Sequence, residues 1–541
     1  MQKVISMFIY LFFCLVCFNT SAQMYGKWGD QGNGTYVNPV IPADFSDLDV
    51  IRVGDNYYAI SSTMQYSPGM AVLHSKDLVN WEIIAHVVND LRQISPKMNW
   101  DQMNAYERGI WAGSIRYYKN KFWVYFGTPD DGFFMSSAEH AEGPWAPLHQ
   151  VWNVKGWDDC CSFYDDDGQV YFMATNFELD PKNNKQYNIH LFKMTPEGKS
   201  LIMESDTIIH QSKGSEANKL YKINGYYYHF FSNVNAEGGR QIMMGRSKNL
   251  YGKWEIKQLN RVNRKKDREP NQGGLITVDK NEWYFFTHHG RGDWEGRPAS
   301  LLPVNWLDNW PIIGEVGPDS IGEMVWSGTK PIILNELLSL KTSDDFENEK
   351  LGHQWEWNYQ PRADKWSLTE RKGFLRLHAF QPIDPENQQK ILMRAGNTIT
   401  QRSMRTHDNV VTIKLDFGNM ENGQYAGLTH FSTQNMSTIG IKQSNGKRIL
   451  TYVFNDEESE GVKLKKNVIW LQSKWDVNGK NQYFYSLNGK KYIPFGNVTQ
   501  LTWGSYRGDR IGIFNYNILQ DKGYVDIDWF KYEISKDKST P

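Results

Sequence analysis

Asp47, Asp159 and Glu216 each stand eleven or twelve residues before the last aromatic of a recurring turn-and-strand unit: Asp47 before Tyr58, Asp159 before Tyr171, Glu216 before Tyr227. In two further units the corresponding offset holds Trp111, before Trp123, and Asn271 with Gln272, before Tyr284. If the units surround an axis, these positions converge, and three carboxylates meet with no basic residue at the other two. Unpaired carboxylates brought together repel and are costly to bury. Such a cluster has a use in sugar chemistry, where two carboxyl groups across a ring supply a general acid and a general base while a third charge tunes the acid. Trp111 offers an aromatic face to a sugar ring. Arg297, in Glu295-Gly296-Arg297-Pro298, offers paired hydrogen bonds to hydroxyls. Asn271, at the same register, is a further candidate substrate contact.

The unit that sets this register has a period of roughly 50–65 residues. Its five turns are Asp55-Asn56-Tyr57-Tyr58, Asn120-Lys121-Phe122-Trp123, Gly168-Gln169-Val170-Tyr171, Asn224-Gly225-Tyr226-Tyr227 and Asn281-Glu282-Trp283-Tyr284. Surface segments ending in tryptophan follow several of them, among them His74-Ser75-Lys76-Asp77-Leu78-Val79-Asn80-Trp81. Short strands and turns at this period, with no helical periodicity, predict an all-β chain whose residues 30–335 form a five-bladed β-propeller. A single irregular sandwich does not explain the five-fold recurrence. From Asp344 the pattern changes to period-two alternation, as in Val410-Val411-Thr412-Ile413-Lys414-Leu415 and Gln482-Tyr483-Phe484-Tyr485-Ser486-Leu487. This predicts a β-sandwich over residues 344–536. Asp344 near its first strand and Asp528 in its last are candidates for a structural calcium site, since calcium takes clustered oxygen ligands.

Composition narrows the partners. Lys plus Arg is 60 and Asp plus Glu is 61, a balance that gives no long-range attraction to nucleic acid or anionic lipid. Residues 1–22 read as a secretory signal peptide, with Lys3, the apolar run Val4 to Phe18, and the small residues Thr20-Ser21-Ala22 before Gln23. No later stretch approaches the roughly 20 apolar residues of a membrane span. The expected product is secreted or periplasmic. Cys14 and Cys17 leave with the signal. The adjacent pair Cys160 and Cys161 either closes a vicinal disulfide or, the favoured reading, stays as buried thiols. No HExxH or paired CxxC pattern supplies a metal centre, and acid–base cleavage by carboxylates needs no cofactor.

These residues carry a resemblance to glycoside hydrolase family 43 over essentially the whole mature chain. Asn38-Pro39-Val40 with Asp44-Phe45-Ser46-Asp47 is similar to the family's opening strand, and Gly109-Ile110-Trp111-Ala112 resembles its second-blade motif. Gln272-Gly273-Gly274 and Gly296-Arg297-Pro298, followed by Trp310-Pro311, look like the closing blade. The tail, Asp344-Asp345-Phe346 through Gly523-Tyr524-Val525-Asp526, resembles the concanavalin-like sandwich of the xylosidase and arabinofuranosidase branch. The resemblance implies an inverting exo-glycosidase that removes terminal α-L-arabinofuranosyl or β-D-xylosyl units from plant hemicellulose or pectin side chains. It implies that Asp47 is the general base, Glu216 the general acid, Asp159 the residue that holds and tunes that acid, and Arg297 a sugar ligand in the first subsite. The sequence departs from the family pattern at Leu48 and Cys160, where proline commonly follows each aspartate, at Ala217-Asn218 after the glutamate, and at Asn271, where many members carry a histidine. The alternatives are a carbohydrate-binding propeller without turnover and an endo-acting arabinanase.

Overall fold

The structure, a computed structural model, describes residues 27–177, 186–235, 239–261, 270–289, 293–383, 390–504 and 506–535. The signal-peptide expectation for residues 1–22 falls outside them. Five antiparallel sheets follow one another along the first part of the chain. Their innermost strands are Asp49–Val53, Gly113–Tyr118, Trp157–Tyr164, Glu216–Ile223 and Pro270–Thr277. Each is followed by three more strands that step outward, those of the first blade being Asn56–Ser61, Gly69–Ser75 and Trp81–Val88. Each innermost strand packs against those of both neighbouring sheets, and Pro270–Thr277 meets Asp49–Val53. The result is a five-bladed β-propeller.

The repeated turn joins the first and second strands of each blade. Between the paired residues Ile223 and Tyr226, the two-residue loop Asn224-Gly225 has positive φ at both positions. Lys119-Asn120 does the same between Tyr118 and Lys121. Asn and Gly enter this left-handed region at little cost, and the resulting turn matches the twist of the flanking strands. Aromatics further along the strands pack between blades. Phe286 of the fifth blade stacks on Trp81 of the first with centroids 4.5 Å apart, and Phe133 of the second meets Phe172 of the third at 5.1 Å. The strand Thr35–Val37 pairs with Ser327–Thr329, so the two ends of the propeller segment are tied together.

The second unit is a sandwich of two antiparallel sheets. One runs in the order Glu457–Lys463, Lys447–Phe454, Met436–Ser444, Gln424–Phe431, Arg510–Asn517, Ile399–Arg402 and Glu356–Asn358. Its last neighbour is Tyr66–Ser67, which belongs to the first blade, so the sheet crosses from one unit to the other. The interface also buries charge. Glu356 accepts from Arg510 at 2.7 Å and is ion-paired with Arg402 at 2.8 Å, with His86 of the first blade 3.3 Å away. Arg402 in turn donates to the Asp44 carbonyl at 2.7 Å.

Asp344 and Asp528, the candidate calcium ligands, are each engaged by protein donors. Asp344 accepts from the Trp355 indole at 2.8 Å and the Phe346 amide at 2.9 Å, while Asp528 takes the Lys414 ammonium. Calcium needs several oxygens free to converge, and among the described residues no group of three or more His, Cys, Asp or Glu is placed to hold a metal ion. Cys160 and Cys161 are free, buried thiols. Among the described residues no helix is long and apolar enough to cross a membrane.

Candidate active site

One backbone device turns the register positions toward the axis. In the third, fourth and fifth blades, the first two strands slip register at the axial end, between Asp158 and Cys161, Glu216 and Lys219, and Pro270 and Gly273. A bulge of this kind adds a residue to one strand and re-aims its side chain. Asp159 (φ 51°) and Ala217 (φ 68°) occupy the left-handed region at these bulges, and Asp47 (φ 58°) does so just before the first inner strand. Non-glycine residues held there cost on the order of 1–3 kcal/mol each, a strain that gathers at functional sites.

The side chains so aimed line one cavity: Asp47, Asp159, Glu216, Trp111, Asn271 and Arg297, every sequence-predicted residue of the axial register with its arginine. Asp47 is buried. Its carboxylate accepts from the Ser62 hydroxyl and, at 3.2 Å, from the Arg297 guanidinium. Its amide donates to His288 Nδ1 at 2.6 Å. Burial, with the Arg297 charge next, pushes His288 well below its usual range, so the imidazole is neutral and its Nδ1 is free to accept. Asp159 ties the third blade to the fourth. Its carboxylate accepts from the Ala217 amide at 2.9 Å, and its carbonyl accepts from the Asn218 side chain at 2.8 Å. Because Ala217 directly follows Glu216, these bonds set the position of that carboxyl group. Glu216 itself pairs with Arg240 at 2.7 Å and is about a quarter exposed, reachable from the cavity.

The cluster resists full ionisation. Burial, then the charge of Glu216, push Asp159 up to about 7. Burial and the adjacent Asp159 raise Asp158 well above the carboxylate range. Protons retained by these two adjacent carboxyls belong to the pair and not to either one alone.

An aromatic wall completes the cavity. Trp111 lies 6.3 Å from Phe177 and 5.9 Å from Tyr506, centroid to centroid. Tyr506 also lies against the Arg297 guanidinium, 5.5 Å from its ring centre. The guanidinium Nε of Arg297 and the Oδ1 of Asn271 are buried polar atoms without a protein partner among the described residues.

Sequence reasoning missed Asp158, Arg240, His288, Ser62 and Tyr506. Asp158 was legible only as the sequence neighbour of Asp159. Ser62 directly follows the second strand of the first blade, and His288 lies near the end of the second strand of the fifth, outside the register of the innermost strands. Tyr506 comes from the sandwich, and no local pattern joins it to a site built from residues 47–297.

With this geometry in place, sequence comparison fixes the family. The model for glycosyl hydrolases family 43 matches residues 36–311, and that for the beta xylosidase C-terminal concanavalin A-like domain matches residues 343–533. The chain belongs to glycosyl hydrolase family 43. It is therefore a glycoside hydrolase acting on carbohydrate. A "Beta-xylosidase" of Formosa agariphila is 33% identical over 95% of this chain and 93% of that protein. The "Non-reducing end alpha-L-arabinofuranosidase BoGH43B" of Bacteroides ovatus is 31% identical over 63% of this chain and 65% of its own length. Among solved structures, the family 43 protein BlXynB of Bacillus licheniformis superposes with a TM-score of 0.78 at 26% identity, covering 93% of this chain and all of that one. The family 43 assignment accounts for both units of the fold, the propeller and the sandwich.

Proposed function

We propose that the protein is an inverting exo-glycosidase that removes a non-reducing terminal α-L-arabinofuranosyl or β-D-xylosyl residue from plant hemicellulose or pectin side chains. The observation that carries this reading is one cavity to which three blades bring carboxylates, Asp47, Asp159 with its neighbour Asp158, and Glu216, with the Arg297 guanidinium beside Asp47. Asp47 deprotonates a water and Glu216 protonates the departing oxygen, in one displacement at the anomeric carbon. This requires the two carboxyl groups to be about 6.5–9.5 Å apart, leaving room for the water. Asp159 holds the acid through Ala217 and Asn218. The unpartnered Nε of Arg297 and Oδ1 of Asn271 are a donor and an acceptor for sugar hydroxyls, and Trp111 stacks on the ring. Tyr506 at the cavity wall favours an end-binding pocket over the open groove of an endo-acting arabinanase. The relatives' names supply the two sugars. The signal-like residues 1–22 support export to the periplasm or beyond, where plant polysaccharide is met.

The test is release of nitrophenol from aryl α-L-arabinofuranoside and β-D-xyloside by the wild type and by Asp47→Asn. Turnover of at least one substrate, lost by more than about tenfold in the variant, is expected, since positioned acid–base groups contribute ~10²–10⁴-fold. Binding without turnover on both would make this a carbohydrate-binding propeller. A variant that keeps its rate would remove Asp47 as the base.

A further inference from the structure

Arg507 belongs to the sandwich, yet its side chain is buried against the propeller's axial end. One terminal nitrogen donates to the Asp44 carboxylate at 2.7 Å. The other donates to the Ser62 carbonyl at 2.6 Å and the Ser62 hydroxyl oxygen at 3.2 Å. With its oxygen accepting from Arg507, the Ser62 hydroxyl has its proton directed to the Asp47 carboxylate. The other end of this fork also reaches the site. Asp44 accepts the Arg297 amide at 3.1 Å and the Ser46 hydroxyl at 3.0 Å, so it fixes the loops on both sides of Asp47. Burial opposes ionisation of Asp44, but Arg507 and then Arg510 hold its carboxyl below the usual range. Next in the chain, Gly508 lies so close to the Glu295 and Gly296 backbone that an added Cβ would come within 2.4 Å. Gly296, at φ 89°, lies equally close to Asp44. The three loops are interlocked, and only a side chain with a planar, two-ended set of donors spans Asp44 and both Ser62 oxygens.

We propose that Arg507, acting from the sandwich through Ser62, is a positioning residue for the general base Asp47. The sandwich is then part of the catalytic apparatus of the propeller, in addition to any packing role. This rests on the assignment of Asp47 as the base. Asp47 sits in a strained conformation, and among the described residues the Ser62 and Arg297 side chains hydrogen-bond its carboxylate. Releasing the Ser62 hydroxyl lets that carboxylate turn away from the attacking water, and a misplacement of about 1 Å can cost ~10²-fold in rate.

Three variants test the relay. Ser62→Ala keeps the Arg507–Asp44 pair and removes only the hydroxyl. Arg507→Lys keeps a positive charge beside Asp44 but cannot span both partners. The third combines the two. Each single variant is expected to lose about 10–100-fold in kcat with KM within about threefold. The loss should be equal on an activated aryl glycoside and on an oligosaccharide, because a misplaced base slows water attack whatever the leaving group. The double variant should be no slower than the slower single one, as for two links of one chain. A merely structural Arg507 would lower the unfolding midpoint and leave kcat untouched, which would overturn the proposal. Additive losses, or wild-type kcat in Ser62→Ala, would also overturn it, and the second outcome decides even if Arg507→Lys fails to fold. Asp47→Asn, measured alongside, separates the two levels. If it is inactive while both singles keep wild-type rates, only the relay fails; if it is active, the base assignment fails as well.

Discussion

Replacing Asp159 by asparagine should make the protein more stable at alkaline pH while abolishing most of its turnover. The native carboxyl is pushed up to about 7 by burial and then by the charge of Glu216, whereas an aspartate in an unfolded chain titrates near about 3.9. Between those two values the native form binds more protons than the unfolded chain. Stability therefore falls as pH rises from about 4 to about 7, and is flat above. About three pH units at ~1.36 kcal/mol each set a ceiling of about 4 kcal/mol. The titration is shared with the adjacent buried Asp158, so a single substitution should recover about half of that, ~2 kcal/mol. Asparagine can still accept the Ala217 amide hydrogen bond that Asp159 makes now, so the bulge should survive. The assay is denaturant unfolding of wild type and Asp159→Asn at pH 4.5 and pH 8, comparing midpoints and slopes. The variant should match wild type at the lower pH and exceed it at the higher. Equal stability at both pH values, or a variant weaker at pH 8, would refute the claim that this carboxyl is held against its own ionisation.

Two further outcomes follow from other parts of the structure. Glu216→Ala should lose most activity on oligosaccharides, whose leaving groups need a proton, and far less on a dinitrophenyl pentoside, which leaves almost unaided; equal loss in kcat/KM on both would mean that another carboxyl is the donor. Glu356→Gln should lower stability by about 3–5 kcal/mol in denaturant unfolding, because it leaves Arg402 and Arg510 buried without their shared counterion. A change below about 1 kcal/mol there would show that the interface charges are dispensable.

The residues that share a register were legible because a propeller converts an offset along the chain into a position at the axis. Counting back from Tyr58, Tyr171 and Tyr227 was enough to bring Asp47, Asp159 and Glu216 together, although the bulges that aim two of them leave no mark in the sequence. Arg297 came from its motif and the family resemblance. Arg240 was hidden because it opens a third strand, outside the counted register, and pairs with Glu216 from the side. Tyr506 and Arg507 were hidden for a different reason: they reach the site through the docking of two units, a long-range event with no local periodicity. The strands of the sandwich were read only where they alternate. Arg510–Asn517 is buried along its whole length, so it shows no period-two pattern and was passed over. The partners of Asp344 and Asp528 were not legible, because an aspartate looks the same in sequence whether it faces a metal, a lysine or an indole.

The central claim is a single displacement by water, with Asp47 as base and Glu216 as acid, and stereochemistry tests it most directly. Proton NMR of the sugar in the first minutes of hydrolysis, before mutarotation, reports the anomer released. The first product should carry the configuration opposite to the substrate's. Net retention would contradict it, because retention requires a nucleophilic carboxylate and a covalent intermediate in place of the activated water.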